Sequence, residues 1–258
     1  MKKTILAVCA SVAAMLMPMA SCMGQSSQEI GNVSFESEGI MYQSREGKAG
    51  EVEVVANSTN PYTGLVWIPK EVVYEEKTYQ VTAIGDGAFA GTTVIRVTMH
   101  DGIERIGDSA FRNCPSLIAT RQIENMIESS VTMTEDGIRC RYVTLPKALT
   151  EIGAYAYSGT PQFLDKIEIL ENVRSIGDYA FSGCGKPESI CCMAATPPTY
   201  GINAFDEQIL ESATLYVGQA YMEAYAEAPG WNGFANRGTD DDFENKLHGG
   251  GIGPSPEM

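Results

Sequence analysis

Few side chains in this sequence could support catalysis or metal binding. The chain has two histidines, His100 and His248, and a nucleophile–histidine centre or a histidine metal site would need one of them. His100 follows a short apolar run and His248 lies among glycines, so we interpret both as solvated surface side chains. A carboxylate pair that hydrolyses glycans is the remaining enzymatic alternative, because 33 acidic residues are present, but no pair stands out. The sequence therefore predicts no catalytic residue, no metal site and no cofactor.

The seven cysteines form no disulfide or metal pattern. Cys114 and Cys184 occupy the same place in a repeated motif described below, which predicts buried small side chains. They lie several repeat units apart, whereas a disulfide needs Cα atoms within about 7 Å. Cys191 and Cys192 are adjacent and lack CxxC spacing, so zinc binding is not favoured. We predict free and mostly buried thiols.

The excess of acidic over basic residues limits the kinds of partner that this protein can bind. Acidic residues (33) outnumber basic residues (18), and the formal net charge is −15. Such a surface cannot displace counterions from phosphates, which argues against nucleic acid as a partner. Apolar residues make up 44% of the chain and are spread along most of it, which is enough to build a core.

The N-terminus has the layout of an export signal. Two lysines precede an apolar run that is too short for a comfortable membrane span, and small residues follow. The stretch MASC, which ends at Cys22, resembles a bacterial lipobox. We predict a lipoprotein-type signal peptide over 1–21, lipidation of Cys22 and a linker over 22–32, with cleavage near Ala20 or Ser21 as the alternative. The expected location is the cell envelope, on either the surface or the periplasmic side of an outer membrane to which the lipid anchors the protein.

One motif recurs along the chain, as AIGDGAFAG, RIGDSAFRNC, EIGAYAYSG, SIGDYAFSGC and the more divergent YGINAFDE. Its isoleucines are Ile84, Ile106, Ile152 and Ile176. The first and last intervals between them are nearly equal, and the middle interval is about twice as long, so it is a doubled gap. One unit is therefore about 23 residues long, and repeats of this length stack on one another, because no single unit can bury its apolar side alone.

Each unit carries the same local signals. Short apolar or alternating runs, such as VIRVTM, YVTLP and KIEIL, predict strands of three to five residues. The glycine after each isoleucine predicts a position where a side chain is unwelcome. The aspartates that follow, Asp86, Asp108 and Asp178, are predicted to cap short helical turns. The aromatic positions are predicted to form an interior ladder: Phe89, Phe111, Tyr157, Phe181 and Phe205.

These motifs resemble the BspA-like branch of leucine-rich repeats, found in secreted and surface proteins. The opening stretch VSFESEGIMYQ and the closing stretch from ATPPTYGINAFDE to GWNGFAN are similar to the flanks of that family. The resemblance covers 33–237 and implies an α/β repeat solenoid, leucine-rich-repeat-like, with short parallel strands alternating with turns and short helical segments. It also implies that the solenoid is capped at both ends.

Two regions fall outside the regular pattern. The doubled gap holds residues 118–141, which we interpret either as a degenerate repeat with a hairpin around Asp136-Gly137 or as an insertion that projects from one face. The residues 238–258 are polar, acidic and glycine-rich, and we predict that they are disordered.

The C-terminal part of the repeat region, 220–228, predicts a helix. Trp231 and Phe234 follow it, and they are predicted to plug the end of the core. An aromatic platform for carbohydrate is the alternative.

The resemblance implies a non-enzymatic binding or adhesion protein that presents a repeat surface to a protein or glycan ligand. The alternative is a lipid-anchored scaffold within a periplasmic or outer-membrane assembly. Outward strand positions and the doubled gap supply the candidate ligand-binding residues: Arg96, Thr98, Thr144, Lys166, Glu168, Arg121, Glu124 and Arg139. The sequence indicates neither the ligand nor the oligomeric state.

Overall fold

The computed structural model describes residues 33–122, 132–134, 137–139, 142–160 and 166–239. Strands dominate this part of the chain, and none of its helices is long and apolar enough to cross a membrane. The strands, in chain order, are β1 (Ser34–Ser37), β2 (Ile40–Ser44), β3 (Glu51–Val55), β4 (Thr63–Trp67), β5 (Glu71–Tyr74), β6 (Lys77–Ile84), β7 (Thr93–Met99), β8 (Arg105–Ile106), β9 (Ala119–Gln122), β10 (Thr132–Thr134), β11 (Gly137–Arg139), β12 (Tyr142–Thr144), β13 (Glu151–Ile152), β14 (Lys166–Ile169), β15 (Ser175–Ile176), β16 (Ser189–Cys192), β17 (Thr199–Tyr200), β18 (Thr214–Val217) and β19 (Asn236–Thr239).

The strands form two large sheets and one hairpin. Sheet A has nine strands in the order β1-β2-β3-β6-β8-β13-β15-β17, with β5 paired to β6. Sheet B has eight strands in the order β19-β18-β16-β14-β12-β9-β7-β4, and all of its pairings are parallel. The hairpin joins β10 to β11. Along most of the chain, consecutive strands alternate between the two sheets.

The repeated aromatic positions form a continuous stack in the core. Successive rings have centroids 5.1, 5.1, 5.3 and 5.0 Å apart, and no pair of planes is tilted by more than 13°. The isoleucines of β8, β13 and β15 lie beside one another in register. These residues are buried, so the predicted interior ladder is confirmed.

The glycines after the isoleucines are required by close approach between units. A Cβ atom built on Gly153 would lie 2.5 Å from the backbone of Asp108, and one on Gly177 would lie 2.4 Å from the backbone of Ala154. Real Cβ atoms essentially never come that close to another atom. The side chain is therefore excluded by the neighbouring unit, as the sequence predicts.

The predicted helical turns are wrong. The segments 86–91, 108–113, 154–159 and 178–183 are turns rather than helices. Their second residues have positive φ, for example 56° at Ser109 and 56° at Tyr155, and an α-helix does not tolerate such a residue. Each turn forms hydrogen bonds within itself and also to the next unit, as when the Arg112 N–H donates to the Ser109 carbonyl at 3.0 Å and the Ser109 N–H donates to the Ala154 carbonyl at 2.7 Å.

The repeat aspartates also act between units, which corrects the predicted role as caps within a unit. Asp86 Oδ1 accepts a hydrogen bond from the N–H of Asp108 at 2.9 Å. Asp108 Oδ1 accepts from the N–H of Ala154 at 2.8 Å, and Asp178 Oδ1 accepts from the N–H of Ile202 at 2.6 Å. Each carboxylate therefore ties one turn to the next.

Two α-helices lie near the end of the described chain, α1 (Glu207–Ser212) and α2 (Met222–Glu227). Asp206 begins α1, and its Oδ1 accepts from the N–H of Ile209 at 3.1 Å. A 3-10 turn over Gln219–Tyr221 leads into α2, which confirms helical structure in the predicted segment. Trp231 is fully buried and lies 6.1 Å, centroid to centroid, from Phe205, the last ring of the aromatic stack. Because its faces are covered, Trp231 is not a platform for carbohydrate.

Within the described residues, the doubled gap contributes an additional strand to sheet B but none to sheet A. In sheet A, β8 pairs directly with β13, so Ile106 lies beside Ile152. In sheet B, β9 pairs with β7 on one side and β12 on the other. The inward register positions of sheet B therefore recur once in every unit length, without a gap: Val97, Thr120, Val143, Ile167, Ile190 and Leu215. Over this stretch, sheet B contains one strand more than sheet A, or about 4.8 Å of extra sheet.

Burial of the polar and sulfur groups confirms one prediction and overturns another. The thiols of Cys114, Cys184, Cys191 and Cys192 are buried and form no disulfide within the described residues, as predicted. Cys140 and His248 lie outside the described residues. His100 is 3% exposed, and its Nδ1 accepts a hydrogen bond from the Gly102 N–H at 3.0 Å, so its interpretation as a solvated surface histidine is wrong.

Candidate binding surface

The outer face of sheet B brings several predicted ligand-binding residues into register. Alternate residues of a strand point to opposite faces, and the inward residues Val97, Ile167, Ile190 and Leu215 are fully buried. The outward positions form two neighbouring columns that cross all eight strands. The first column contains Leu65, Arg96, Ala119, Tyr142, Lys166, Ser189, Thr214 and Asn236. The second contains Trp67, Thr98, Arg121, Thr144, Glu168, Cys191, Tyr216 and Gly238.

The predicted residues divide into three groups. Six lie in the two columns, although for Arg121 and Thr144 only the strand position is described: Arg96, Thr98, Arg121, Thr144, Lys166 and Glu168. Arg139 belongs to β11, which pairs with β10 and not with either large sheet. Glu124 lies outside the described residues.

Two of these column residues neutralise each other. Lys166 and Glu168 are two apart on β14, so their side chains share a face, and their charged groups form an ion pair. Their side chains are only 12% and 25% exposed, which limits their access to a large ligand.

Accessibility differs between the two ends of the columns. Ser189, Cys191 and Tyr216 are buried although they occupy outward positions on β16 and β18. At the opposite end, Leu65 is 71% exposed and Trp67 is 62% exposed. The exposed apolar part of the outer face therefore lies on β4, beside Arg96 and Thr98 of β7, whose side chains are half-buried.

Sequence reasoning missed the exposed apolar residues at this end. Leu65 and Trp67 lie on β4, and Ile95 of β7 is 42% exposed because a register shift leaves it between the residues that pair with Gly64 and Leu65. The stretch TGLVW ends in three consecutive apolar residues, which is a signal for a short strand. Nothing in this run shows that two of the three side chains point to solvent.

Ion pairs on sheet A connect successive units. The guanidinium of Arg105 on β8 lies 2.6 Å from Asp86 and 3.4 Å from Glu151 of the neighbouring units. Burial acts to lower the pKa of Arg105, but the bonds and charges of Asp86 and Glu151 raise it overall. Burial also raises the pKa of Glu53, and the Arg105 charge opposes that rise. Because each carboxylate here faces this cation, the cluster joins successive repeat units.

A second cluster lies beside it. Arg45 Nη1 is 3.0 Å from Glu104 Oε2, and Lys48 Nζ is 3.2 Å from the same atom. Burial raises the pKa of Glu104, but the hydrogen bonds from Arg45 and Lys48 bring it below its ordinary value. Within the described ranges, no three histidine, cysteine or acidic side chains are arranged to hold a metal ion.

The family comparison agrees with this architecture. The BspA-type leucine-rich repeat region matches in six copies, over residues 74–186 and 135–226. This chain belongs to the BspA-type leucine-rich repeat family. The matched residues contain all five copies of the repeated motif and most of sheet B. The family member has a strand-rich fold with few helices, so the alternation of strands with short helical segments implied by the sequence is corrected to strands joined by turns.

Several solved structures are similar to this family member. A leucine-rich repeat protein from Bacteroides capillosus is 21% identical, with a TM-score of 0.42, over 62% of this chain and 97% of the other. A leucine-rich cell surface protein from Faecalibacterium prausnitzii is 17% identical, with a TM-score of 0.42, over 81% of this chain and 55% of the other. The pneumococcal vaccine antigen PcpA is 16% identical, with a TM-score of 0.48, over 73% of this chain and 51% of the other. Among curated proteins, none matches the chain.

Proposed function

We propose that this protein is a non-enzymatic binding protein of the cell envelope. In this proposal, residues 33–237 form a capped solenoid, and the outer face of sheet B near β4 and β7 contacts a protein or glycan ligand. The observation that supports it is the pair of exposed apolar side chains on β4, Leu65 and Trp67, which lie beside the half-buried Arg96 and Thr98 of β7. Apolar and aromatic groups beside an arginine are the composition that protein interfaces favour.

The family supports the location as well as the role. BspA-type leucine-rich repeat proteins are surface proteins, and one similar structure is described as a leucine-rich cell surface protein. We propose that the signal peptide over 1–21 is removed, that Cys22 is lipidated, and that 22–32 links the lipid anchor to the repeats. The strand β19 ends at Thr239, two residues after the boundary at residue 237 that the sequence predicts.

A binding screen with a matched charge variant tests this function. The full chain is immobilised and exposed to a glycan array and to a panel of extracellular-matrix proteins. Each ligand found is then measured against Arg96→Glu and against Arg174→Glu, in which the same change is made at an exposed arginine that follows Val173 on the sheet A side. We expect the first change to weaken binding at least about tenfold and the second to leave it unchanged. Equal effects of both variants, or turnover of a glycan or peptide by the purified chain, would contradict the proposal.

A further inference from the structure

Strand β4 is an open edge of sheet B. Within the described residues, it pairs with β7 on one side and with no strand on the other. The Ile68 N–H donates to the Thr98 carbonyl at 2.9 Å, so the backbone of Ile68 points towards β7. Successive residues of a strand point their N–H and C=O groups to alternate sides. The backbone groups of Trp67 and Leu65 therefore point to the open edge.

The sequence of β4 does nothing to block this edge. Natural sheets protect their edges with charged residues, prolines or covering segments. The strand TGLVW contains no charge and no proline, and its two large side chains are exposed. Its inward residue, Val66, is only partly buried, although it packs against the core. An extended polypeptide could pair with β4 without displacing any strand of the described part of the protein.

A cleft of about 380 Å³ begins where β4 ends. Trp67, Glu38 and Glu71 are among the residues that line it, and the Glu71 carboxylate also accepts a hydrogen bond from the Gln80 side chain at 3.3 Å. No lysine or arginine is among the described residues that line it. The remaining lining residues are small, aromatic or apolar: Ser37, Ile40, Tyr42, Pro69, Val72 and Val73. An indole face beside two carboxylates attracts a cation, because the ring quadrupole and the carboxylates are both negative where the cation would sit.

We propose that an extended polypeptide segment pairs with the open edge of β4 and places a lysine or arginine side chain in this cleft. This inference rests on the proposed binding function and names the class of partner that it takes. The main-chain hydrogen bonds of added strands supply affinity, and a pocket for one side chain supplies specificity. The ammonium or guanidinium group lies against Trp67 between Glu38 and Glu71, and the aliphatic part of the side chain contacts the apolar residues of the cleft.

Charge favours a basic segment over a second copy of this protein. The chain carries a formal net charge of −15, so two copies that approach edge to edge repel each other. A segment that carries cationic side chains gains from the same field. A pyranose could also stack on Trp67. Unlike an extended peptide, however, it would form no strand pairing with the open-edge backbone groups of Leu65.

The probe for the test is a fluorescein-labelled ten-residue peptide of alternating valine and threonine with one central lysine. Its binding to the full chain is followed by fluorescence anisotropy, beside peptides in which glutamate or methionine replaces the lysine. We expect the lysine peptide to bind and the glutamate peptide to bind at least about tenfold more weakly. Peptides N-methylated at alternate residues test the strand pairing. Methylation of the residues whose N–H groups face β4 should abolish binding, and methylation of the residues between them should leave the affinity unchanged.

Variants locate the site. Trp67→Ala is expected to weaken binding of the lysine peptide about tenfold. Glu38→Gln combined with Glu71→Gln should remove the preference for the lysine peptide over the glutamate peptide. Ile202→Ala is the matched control, because Ile202 is another exposed apolar residue but lies in the turn after β17. It should not change the affinity.

Three results would overturn the inference. An affinity for the lysine peptide that neither N-methylation nor Trp67→Ala changes would show that β4 is not the site. A dimer in light scattering that Trp67→Ala dissociates would assign the edge to a second copy. Binding of an oligosaccharide that depends on Trp67, with no peptide binding, would assign the cleft to sugars. If ligands from the array and the matrix panel bind through Arg96 while the peptide does not, only this inference fails and the proposed function stands.

Discussion

Phe111 and Tyr157 are stacked face to face, with ring centroids 5.1 Å apart and planes 13° apart, although two unit lengths of chain separate them. Elsewhere in the stack, residues only one unit length apart show the same geometry. The doubled gap therefore leaves no hole in the aromatic ladder, because the described part of the extra chain adds a strand to sheet B and none to sheet A. The two sheets differ by one strand at this point, and the core has to accommodate the difference.

Tyr157 is the one tyrosine in an otherwise phenylalanine ladder, and its hydroxyl faces this extra strand. Burial raises its pKa, and the Thr120 side chain of β9 acts to lower it. We expect Tyr157→Phe to cost about 1 kcal/mol of unfolding free energy, because it leaves the buried Thr120 hydroxyl without this neighbour. Adding Thr120→Val should recover most of that loss. Urea unfolding of the two single variants and the double variant measures the coupling, and additive losses would contradict a direct contact.

Close packing between units predicts a large effect at Gly153. An added Cβ would lie 2.5 Å from the Asp108 backbone, which cannot move without separating two turns. We expect Gly153→Ala to lower the unfolding free energy by about 2 to 3 kcal/mol. Gly233→Ala is the matched control, because there the nearest atom is the end of the Leu210 side chain at 3.3 Å. Thermal and urea unfolding of both variants check the prediction, and equal stability of the two would refute it.

The hydrogen bonds of the repeat aspartates can be separated from their charge. Asp108→Ala removes the acceptor that binds the Ala154 N–H across the doubled gap. We expect a loss of about 1 kcal/mol, as for a helix cap, and a smaller loss for Asp108→Asn, which keeps an acceptor oxygen. Hydrogen exchange at the Ala154 amide gives a local readout. Unchanged exchange in Asp108→Ala would mean that the carboxylate does not hold the turn.

Buried thiols predict a loss of stability at alkaline pH. Burial raises the pKa of the Cys184 thiol from 9.0 to about 12 and that of Cys192 from 9.0 to about 11. Above pH 9, the unfolded chain releases these protons and the folded chain keeps them, so stability is full below pH 9 and falls as the pH rises. At pH 10, each thiol therefore lowers the free energy of unfolding by about 1.4 kcal/mol relative to its value below pH 9.

A serine variant isolates the contribution of one thiol. The fall in unfolding free energy between pH 8 and pH 10 should be about 1.4 kcal/mol smaller in Cys184→Ser than in the parent protein. Equal falls in the two proteins would mean that this thiol ionises as readily in the folded state as in the unfolded state.

The repeat period explains which parts of the fold the sequence predicts. The period shows itself in residues that one unit must bury, so the isoleucines, the aromatics and the buried Cys114 and Cys184 are all found from their spacing. The glycines are found for the same reason, because their constraint recurs with each unit. The strands of sheet B keep the same period through the doubled gap. At the inward position, however, β9 has Thr120 where β7 has Val97 and β14 has Ile167, and this polar residue hides the strand.

Contacts between units explain what the sequence does not predict. Asp86 lies where a cap for its own turn would lie, and only the stacked structure shows that its acceptor serves the next turn. His100 is polar and follows a strand, which is typical of a surface residue, yet it packs inside. Exposure of Leu65 and Trp67 depends on β4 being the last strand of its sheet, and no local pattern marks a strand as an edge.

Protease accessibility of the full-length protein on intact cells tests most directly whether this is a binding protein of the cell surface. A surface-exposed repeat domain is removed by added protease while the outer membrane is intact, and we expect this result. Protection until the outer membrane is opened would contradict a role at the surface, and the partner would then have to be sought in the periplasm.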